Sequence, residues 1–528
     1  MSAITTPTVP EGLASGSPVS DLLASLTAHS WSPQPEPARL VQTLLDDCLQ
    51  RCSFGANLAR RMLDESGTRL LDWLDHFGIA ADDEVVPELS RVGYVKSAQD
   101  AGATAAMVVP PGQVGAAGVC SDRHGHAVDD VVLELLAKNG VGEATHGGSG
   151  AASGVWEHPL GLFPRVRCHA VTLMTGRQLA IKVESVVDFL AAHGLTQVEI
   201  EGAPSALLRR ARVAWENGVE VWVVERHGSL AFEPAASEDV RLREIACHTE
   251  AFRLRKREFD HDADGFAHAT QLVDAAISDL GRDRACELFF AAEREYWLRR
   301  NRAGRVQKAR QDALGLGWAN HDHHTYRSSR AGFAPLIAFL ERLGFVCRER
   351  FYAGRDAGWG AQVIEHPITG IIIFADVDMS PEELSQDFSH EPLPQRDQLG
   401  TVGLWCGLHG EAFLQAGLHH LECQFDFSAT RDQLKLAGID TMPPFTDYPY
   451  LRQAFTRGEH WSVNPQRIER LRAASLITDE QAQQFLTNGA LGSHLEILQR
   501  NDGYKGFNQK GISEIIAATD PRHAKYES

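Results

Sequence analysis

Apolar residues near the start of the chain recur every three or four positions. The stretches "PARLVQTLLDDCLQRC" and "TRLLDWLDHFGI" both have this spacing, which predicts two amphipathic helices. Residues 166–231 then show shorter patterns in succession: a strand "VRCHAVTLM", a helix "VESVVDFLAAHGL", a strand "QVEIEG", a helix "SALLRRARVAWENG" and a strand "VEVWVVERHGSLAF". This succession predicts a small α+β unit.

The C-terminal half shows a pattern that occurs twice. A strand "ANHDHHTYR", a helix "FAPLIAFLERLGF" and the strands "GAQVIEHP" and "GIIIFADVDM" come first; the strand "AGLHHLECQFDF", the helix "ATRDQLKLAGI" and the strand "GSHLEILQRN" come later. Each set opens with a histidine-bearing strand. We therefore expect duplicated β-α-β-β modules, an α+β fold whose sheet closes around a cavity.

Chain length and local composition suggest the domain limits. A chain of 528 residues is too long for a single core. Residues 1–20 are rich in Thr, Pro, Gly and Ser, and we expect a disordered tail there. Two amphipathic helical stretches, "HDADGFAHATQLVDAAISDLG" and "CELFFAAEREYWLRRNRAGRVQKARQ", lead into the second half. We place a boundary near residue 270, between a mixed helical and α+β domain at 21–270 and a metal domain at 271–528.

Charge and cysteine content exclude several classes of protein. The formal net charge of -19 argues against binding to nucleic acid or to an anionic membrane surface, which both need basic patches. No run of about 18 apolar residues occurs, so we expect no membrane span. The nine cysteines are odd in number, scattered and without a CxxC, which is typical of reduced thiols in a cytoplasmic protein.

Two adjacent-histidine pairs and one glutamate are candidate metal ligands. They are His323 or His324, His419 or His420, and Glu496. Neighbouring residues of a strand point to opposite faces, so only one histidine of each pair can face a cavity. Two imidazoles and one carboxylate make the facial triad that suits Fe(II) and leaves positions open for substrate and dioxygen.

These candidate residues lie in motifs that resemble a known family. The segment "FFAAEREYWLRRNRAGRVQKARQDALGLGWANHDHHTYR" contains Asp-His-x-x-x-Arg, here Asp322, His323 and Arg327. Further on, "GLHHLEC" carries His420 and "LEILQRNDGYKGFNQKG" carries Glu496. Over roughly residues 275–525 the chain resembles the 2-oxoadipate dioxygenase/decarboxylase family, also called 2-hydroxyglutarate synthases.

The resemblance implies a chemistry and a set of roles. The family has a vicinal-oxygen-chelate type of fold and uses Fe(II) and dioxygen to decarboxylate and hydroxylate a 2-oxo acid, converting 2-oxoadipate to 2-hydroxyglutarate and CO2. It implies that His323, His420 and Glu496 bind the metal. A guanidinium can clamp a carboxylate through two hydrogen bonds, so we expect Arg327 to bind substrate. Arg500 is a further catalytic candidate and Lys510 a further substrate-binding one.

Other placements of the site remain open. His227, in "VVERHG", matches a stretch in which bacterial family members carry their first ligand, but Ala231 stands where they have arginine. The N-terminal unit could then be a decayed module, with His169 and Glu225 as remnants. "CSDRHGHAVDD" could hold a hydrolase metal through the side chains of His124, His126, Asp129 and Asp130. Cys406 and His409 could form a thiol nucleophile, and Gln499 could orient a ligand.

Two rival functions also remain. One is a vicinal-oxygen-chelate lyase, isomerase or hydrolase that uses another metal and no dioxygen. The other is a binding module with a relic site.

Overall fold

A computed structural model describes residues 31–97, 154–170, 176–235, 241–355, 357–508 and 520–522. The predicted tail at 1–20 lies outside these ranges. The strands are β1 Leu74–Ala80, β2 Val95–Lys96, β3 Gly154–Glu157, β4 Arg165–His169, β5 Arg177–Lys182, β6 Leu208–Glu216, β7 Val219–Arg226, β8 His321–Arg327, β9 Val346–Tyr352, β10 Trp359–Glu365, β11 Ile372–Asp378, β12 His420–Gln424, β13 Thr446–Tyr448, β14 Leu451–Phe455, β15 Glu459–Trp461 and β16 Ala490–Arg500.

The α-helices lie before, between and after these strands. They are α1 Pro35–Arg51, α2 Ser53–Arg61, α3 Val86–Arg91, α4 Val186–Ala192, α5 Leu242–Leu254, α6 Asp262–Leu280, α7 Arg282–Leu298, α8 Arg302–Asp312, α9 Phe333–Arg342, α10 Thr401–His409, α11 Phe427–Leu436, α12 Pro465–Ala473 and α13 Asp479–Asn488.

Two mixed sheets organise the described residues, which confirms the α+β class. The first has the strand order β2-β3-β4-β1-β5-β7-β6. The second has the order β13-β14-β16-β12-β8-β11-β10-β9, with β15 on β16.

The two halves of the second sheet share one pairing pattern. In the first half β8 is parallel to β11, and β10 pairs antiparallel with both β11 and β9. In the other half β12 is parallel to β16, and β14 pairs antiparallel with both β16 and β13. β8 and β12 join the halves as an antiparallel pair, so the two histidine-bearing strands are neighbours at the centre of the sheet.

The first sheet is joined in the same way. β1 and β5 form its central antiparallel pair, β1 is parallel to β4, and β5 is parallel to β7. Helices α1 and α2 pack against this sheet and contribute Val41, Leu45 and Leu58 to its buried core.

A separate, larger core surrounds the second sheet. Helix α9 buries Phe333, Leu336 and Leu340 there. The boundary expected near residue 270 falls inside α6, whose Phe266 and Val273 both lie in this core. The part of α6 before residue 270 therefore packs in the same core as the C-terminal half.

Most predicted elements of the C-terminal half are confirmed: β8, α9, β10, β11, β12, α11 and β16 coincide with the predicted segments. Two helix predictions in the N-terminal half are wrong. "SALLRRARVAWENG" forms β6, because Ala211 and Val213 bury one face in the core of the first sheet while Leu208 packs on the opposite face with Trp222 and Val224. "TRLLDWLDHFGI" forms a short 3₁₀ turn, Leu70–Trp73, and then β1.

The predicted strand "QVEIEG" is reduced to an isolated bridge between Glu201 and Arg210. Within the described part of the chain, no helix combines the length and apolar character needed to cross a membrane. The cysteines described there are all free thiols.

Candidate metal centre

Three neighbouring strands bring a histidine and two glutamates into one row. His323 of β8 lies opposite Glu422 of β12, and Glu422 lies beside Glu496 of β16. One donor atom from each of these side chains lies within 4.8 Å of the other two. All three side chains are buried. Imidazole and carboxylate donors at this spacing suit a divalent ion.

A second row lies two residues along the same strands, and therefore on the same face. It consists of Thr325, His420 and His494. His420 Nε2 lies 2.5 Å from Glu422 Oε1, and His323 Nε2 lies 3.3 Å from the same oxygen. His420 thus reaches the same point as the first row.

Two residues behind His323 fix the orientation of its ring. Asp322 lies 2.7 Å from His323 Nδ1 and accepts hydrogen bonds from Arg500 Nε at 2.8 Å and Nη2 at 3.0 Å. Burial opposes ionisation of Asp322, but the Arg500 guanidinium and His323 hold the pKa of that carboxyl well below its usual range. Burial in turn lowers the pKa of His323. The neutral ring therefore donates a hydrogen bond from Nδ1–H to Asp322, and the lone pair of Nε2 faces the carboxylates.

Without a cation, the ionised forms of the two glutamates are unfavourable. Burial, followed by the charge of Glu496, raises the pKa of Glu422 well above its usual range. Burial raises the pKa of Glu496 to about 8 against the hydrogen bond that Gln453 donates at 2.7 Å. Burial also lowers the pKa of His494 to about 3, so this ring is neutral and cannot compensate them. A bound divalent ion would supply the missing positive charge.

Several buried polar atoms of this face have no hydrogen-bond partner among the described residues. They are Glu422 Oε2, Gln453 Oε1 and both ring nitrogens of His494. Unsatisfied buried polar atoms are costly, and a cluster of them points to a missing ligand. The residues present therefore fit a metal ion.

The rows open into a cavity of about 80 Å³ with mostly aromatic walls. Phe351, Trp359, Phe374, Phe445, Phe455 and Phe507 line it. Arg327 also lines it. Within the described part of the chain, its Nε and Nη1 have no hydrogen-bond partner, and Asp376 Oδ2 lies 4.0 Å from Nε. Burial raises the pKa of Asp376 to about 8, although the charge of Arg327 opposes this shift. At neutral pH Asp376 is therefore mostly protonated, and the Arg327 guanidinium can bind another anion.

The other predicted residues lie in various places. Arg500 contacts Asp322 and the carbonyls of Tyr504 and Gly506, which places it behind His323. Lys510 lies outside the described residues. Gln499 accepts a hydrogen bond from the Phe427 backbone at the start of α11, away from the rows.

The remaining histidine of each pair is also accounted for. His324 faces the opposite core, against Phe290, as strand alternation requires. His419 precedes β12, and its ring stacks on Trp405. The Nδ1 atoms of His419 and His420 lie 2.8 Å apart.

The prediction omitted Glu422, His494 and Asp376. Period-two alternation could have identified the first two, since Glu422 follows His420 by two residues and His494 precedes Glu496 by two. Asp376 could not be identified in this way, because its strand pairing with Arg327 depends on the parallel crossover from β8 to β11.

The alternative sites are built differently. His227 Nε2 lies 2.6 Å from Glu225, which also accepts a hydrogen bond from the Val186 backbone. His409 Nε2 bonds to the Leu491 carbonyl and is not paired with Cys406. His124, His126, Asp129 and Asp130 lie outside the described residues.

The first sheet contains a second Arg-Asp-His triad. Asp75 lies 2.6 Å from His76 Nδ1 and accepts hydrogen bonds from Arg226 Nε at 2.6 Å and Nη2 at 2.7 Å. Arg226 ends β7 as Arg500 ends β16. The ring of His76 meets Phe232 edge-on at 4.7 Å, as His323 meets Phe507 at 5.1 Å.

The partners of this second triad differ. The residue opposite His76 on β5 is Ala180, and its neighbour on β7 is Trp222. In the second sheet these two positions hold Glu422 and Glu496. The first sheet thus has the ring and its supports without the carboxylates.

No protein-family model and no curated protein matches the chain. Among solved structures, the chain is similar to a mutant of 4-hydroxymandelate synthase from Streptomyces coelicolor, at 12% identity and a TM-score of 0.27, over 65% of this chain and 97% of that one. It is also similar to methylmalonyl-CoA epimerase from Mycobacterium tuberculosis, at 13% identity and a TM-score of 0.20, over 34% and 88% of the two chains. Both TM-scores are low, so these similarities establish neither a shared fold nor a shared activity.

Proposed function

We propose that this protein is a dioxygenase that decarboxylates and hydroxylates a small 2-oxo acid with the help of Fe(II). By its motifs the substrate is 2-oxoadipate and the product 2-hydroxyglutarate. The observation that carries the proposal is the buried cluster of His323, His420, Glu422 and Glu496 beside Arg327, whose Nε and Nη1 have no hydrogen-bond partner among the described residues.

In this proposal His323 Nε2, His420 Nε2 and a carboxylate oxygen of Glu496 hold the metal. Fe(II) bound by two imidazoles and one carboxylate keeps positions for a chelating 2-oxo acid and for dioxygen, which it activates. Asp322 and Arg500 keep the His323 ring in the orientation and tautomer that binding needs.

Arg327 and the cavity walls determine the substrate specificity in this proposal. The guanidinium can form two hydrogen bonds with a carboxylate in a buried setting, where such bonds are strongest. A cavity of about 80 Å³ holds roughly five to eight groups of the size of a water molecule, since each needs roughly 10–15 Å³. This favours a short acid over a bulky thioester. The aromatic walls exclude water from the reacting carbon.

Glu422 supports a second candidate. If it also binds the metal, four protein donors leave too few positions for both a chelating acid and dioxygen. A buried carboxylate beside a metal-bound substrate can instead move a proton, which is the chemistry of a metal-dependent lyase or isomerase.

Dioxygen consumption separates the two candidates. Purified chain is loaded anaerobically with Fe(II), mixed with 2-oxoadipate and other 2-oxo acids, and monitored for oxygen uptake and CO2 release. The dioxygenase gives both in equal amounts and loses both in His323→Ala. Product formation without oxygen uptake would favour the second candidate. Failure of the wild-type chain to retain any divalent metal would favour a relic site.

We also propose that each half of the second sheet is one copy of a duplicated vicinal-oxygen-chelate-type module. Two sets of four strands support this, because they have the same order and the same parallel and antiparallel pairings: β8, β11, β10 and β9 in one half, and β12, β16, β14 and β13 in the other. The metal centre then lies where the opening strands of the two copies meet.

A further inference from the structure

A second polar cavity lies between the two sheets and is separate from the metal centre. Its volume is about 220 Å³. The ends of β5 and β7 supply Lys182 and Arg226, helix α7 supplies Arg284 and Arg294, and Trp318 lies just before β8.

Most charges around this cavity have partners. Arg226 is held by Asp75 through two hydrogen bonds. Arg294 faces Glu287 at 3.5 Å. The other acidic lining residue, Glu184, contacts Lys308 at 3.2 Å and accepts a hydrogen bond from the Trp318 backbone.

Two cations are left over. Arg284 is only 6% exposed, and neither its Nε nor its Nη1 has a hydrogen-bond partner within the described ranges. Lys182 has no salt bridge within those ranges, and burial lowers its pKa against the opposing charges of Glu287 and Asp75. A third donor, the indole Nε1 of Trp318, is buried and equally unpartnered.

A buried guanidinium whose N–H groups lack acceptors is costly, because it gives up its hydration without equivalent hydrogen bonds. The charges of Glu287 and Glu225 act on Arg284, but they leave its Nε and Nη1 without a hydrogen bond in the described part of the chain. Oxygen anions accept bonds from guanidinium, ammonium and indole groups alike. A metal ion would be repelled by the two free cations. The volume lies below the roughly 300 Å³ at which drug-sized ligand pockets begin, which excludes nucleotides.

We propose that this cavity binds a small oxygen dianion, either inorganic phosphate or a short dicarboxylate, through Arg284, Lys182 and Trp318. The site does not depend on the function proposed for the metal centre. Its ligand would bridge the first sheet, helix α7 and the segment that enters β8, and so stabilise the contact between the two sheets.

The test measures anion binding and does not use activity. Full-length chain, freed of phosphate by dialysis, is titrated calorimetrically with phosphate and with succinate at constant ionic strength. We expect one site per chain for at least one of these anions. Arg284→Met and Lys182→Met should each weaken binding about tenfold or more, since each removes a charge-assisted bond.

Two controls separate this cavity from other anion sites. Arg355→Met removes the same charge from a side chain that is 77% exposed and should leave binding unchanged. Arg327→Met, in the metal centre, should also leave it unchanged. Binding that is lost in Arg327→Met but kept in Arg284→Met would overturn the proposal, as would wild-type chain that binds neither anion.

Stability gives an independent readout. In anion-free buffer Arg284→Met should melt at the same temperature as wild type or higher, because it removes an unpaired buried charge. Added anion should raise the melting temperature of wild type and not that of the variant. A variant that melts lower in anion-free buffer would show that Arg284 serves the fold itself, which would also overturn the proposal.

Discussion

Replacing Glu496 by glutamine tests whether the buried carboxylates require a cation. Glutamine keeps the shape of the side chain and an oxygen that can accept the hydrogen bond from Gln453. It removes one negative charge from the row that Glu496 shares with Glu422 and His323. The metal-free chain should become more stable as a result, while metal binding is lost.

The size of the effect follows from the pKa of Glu496, which burial raises from 4.5 to about 8. Between these two pH values the folded protein keeps a proton that the unfolded chain has released. Stability from this group is therefore full below pH 4.5 and is lost as pH rises towards 8. At pH 7 this group lowers the free energy of unfolding by on the order of 3 kcal/mol, because each pH unit above 4.5 costs ~1.4 kcal/mol.

Chelator-treated wild type and Glu496→Gln are unfolded with urea at several pH values from 4.5 to 8. The variant should gain stability over wild type progressively across this range, with almost no difference at pH 4.5. Added Fe(II) or Mn(II) should stabilise wild type at pH 7 and leave the variant unchanged. Glu250→Gln, at an exposed position, is the control for loss of one charge. A difference that does not grow with pH, or a variant less stable than wild type at pH 7, would refute the electrostatic reasoning.

Three further substitutions test the roles of single residues. Glu422→Gln should leave metal affinity nearly unchanged if three residues hold the metal, whereas a fall of a hundredfold or more in a metal titration would show that Glu422 is a fourth ligand. Asp322→Asn should weaken metal binding roughly 10–100-fold, because it releases the His323 ring. The matching change in the first sheet, Asp75→Asn, should leave metal binding unchanged. Equal losses of metal affinity in the two variants would contradict the placement of the metal beside His323. Arg327→Met should raise KM for the 2-oxo acid about tenfold or more with metal content intact, and an unchanged KM would remove Arg327 from substrate binding.

How much of the fold and of the candidate metal centre could be predicted from the sequence depends on which interactions are local. The alternation of side chains along β8, β12 and β16 could be inferred from the sequence, and it showed that only one of His323 and His324 could face the cavity. The choice of His323 came from the resemblance of its motif. The row itself was not visible, because the register that sets Glu422 between His323 and Glu496 is fixed by pairing between strands far apart in the chain.

The N-terminal half shows the same limit more strongly. β6 contains Ala, Leu and Arg, which favour helices, and only its packing against β7 makes it a strand. β1 was misread for a similar reason, since "LLDWLDHF" has helical spacing in isolation. With β1 read as a helix, Asp75 and His76 could not be compared with Asp322 and His323.

The two Arg-Asp-His triads together show what makes one of the sheets a candidate metal centre. Arg226, Asp75 and His76 reproduce the supporting hydrogen bonds of Arg500, Asp322 and His323 to within a few tenths of an ångström. An oriented imidazole is therefore not sufficient by itself. The sheets differ at the next two strands, where alanine and tryptophan replace two glutamates. The first sheet also has Gln178 where the second has His420. The donors on β12 and β16, and not one oriented histidine alone, therefore decide where a metal can bind.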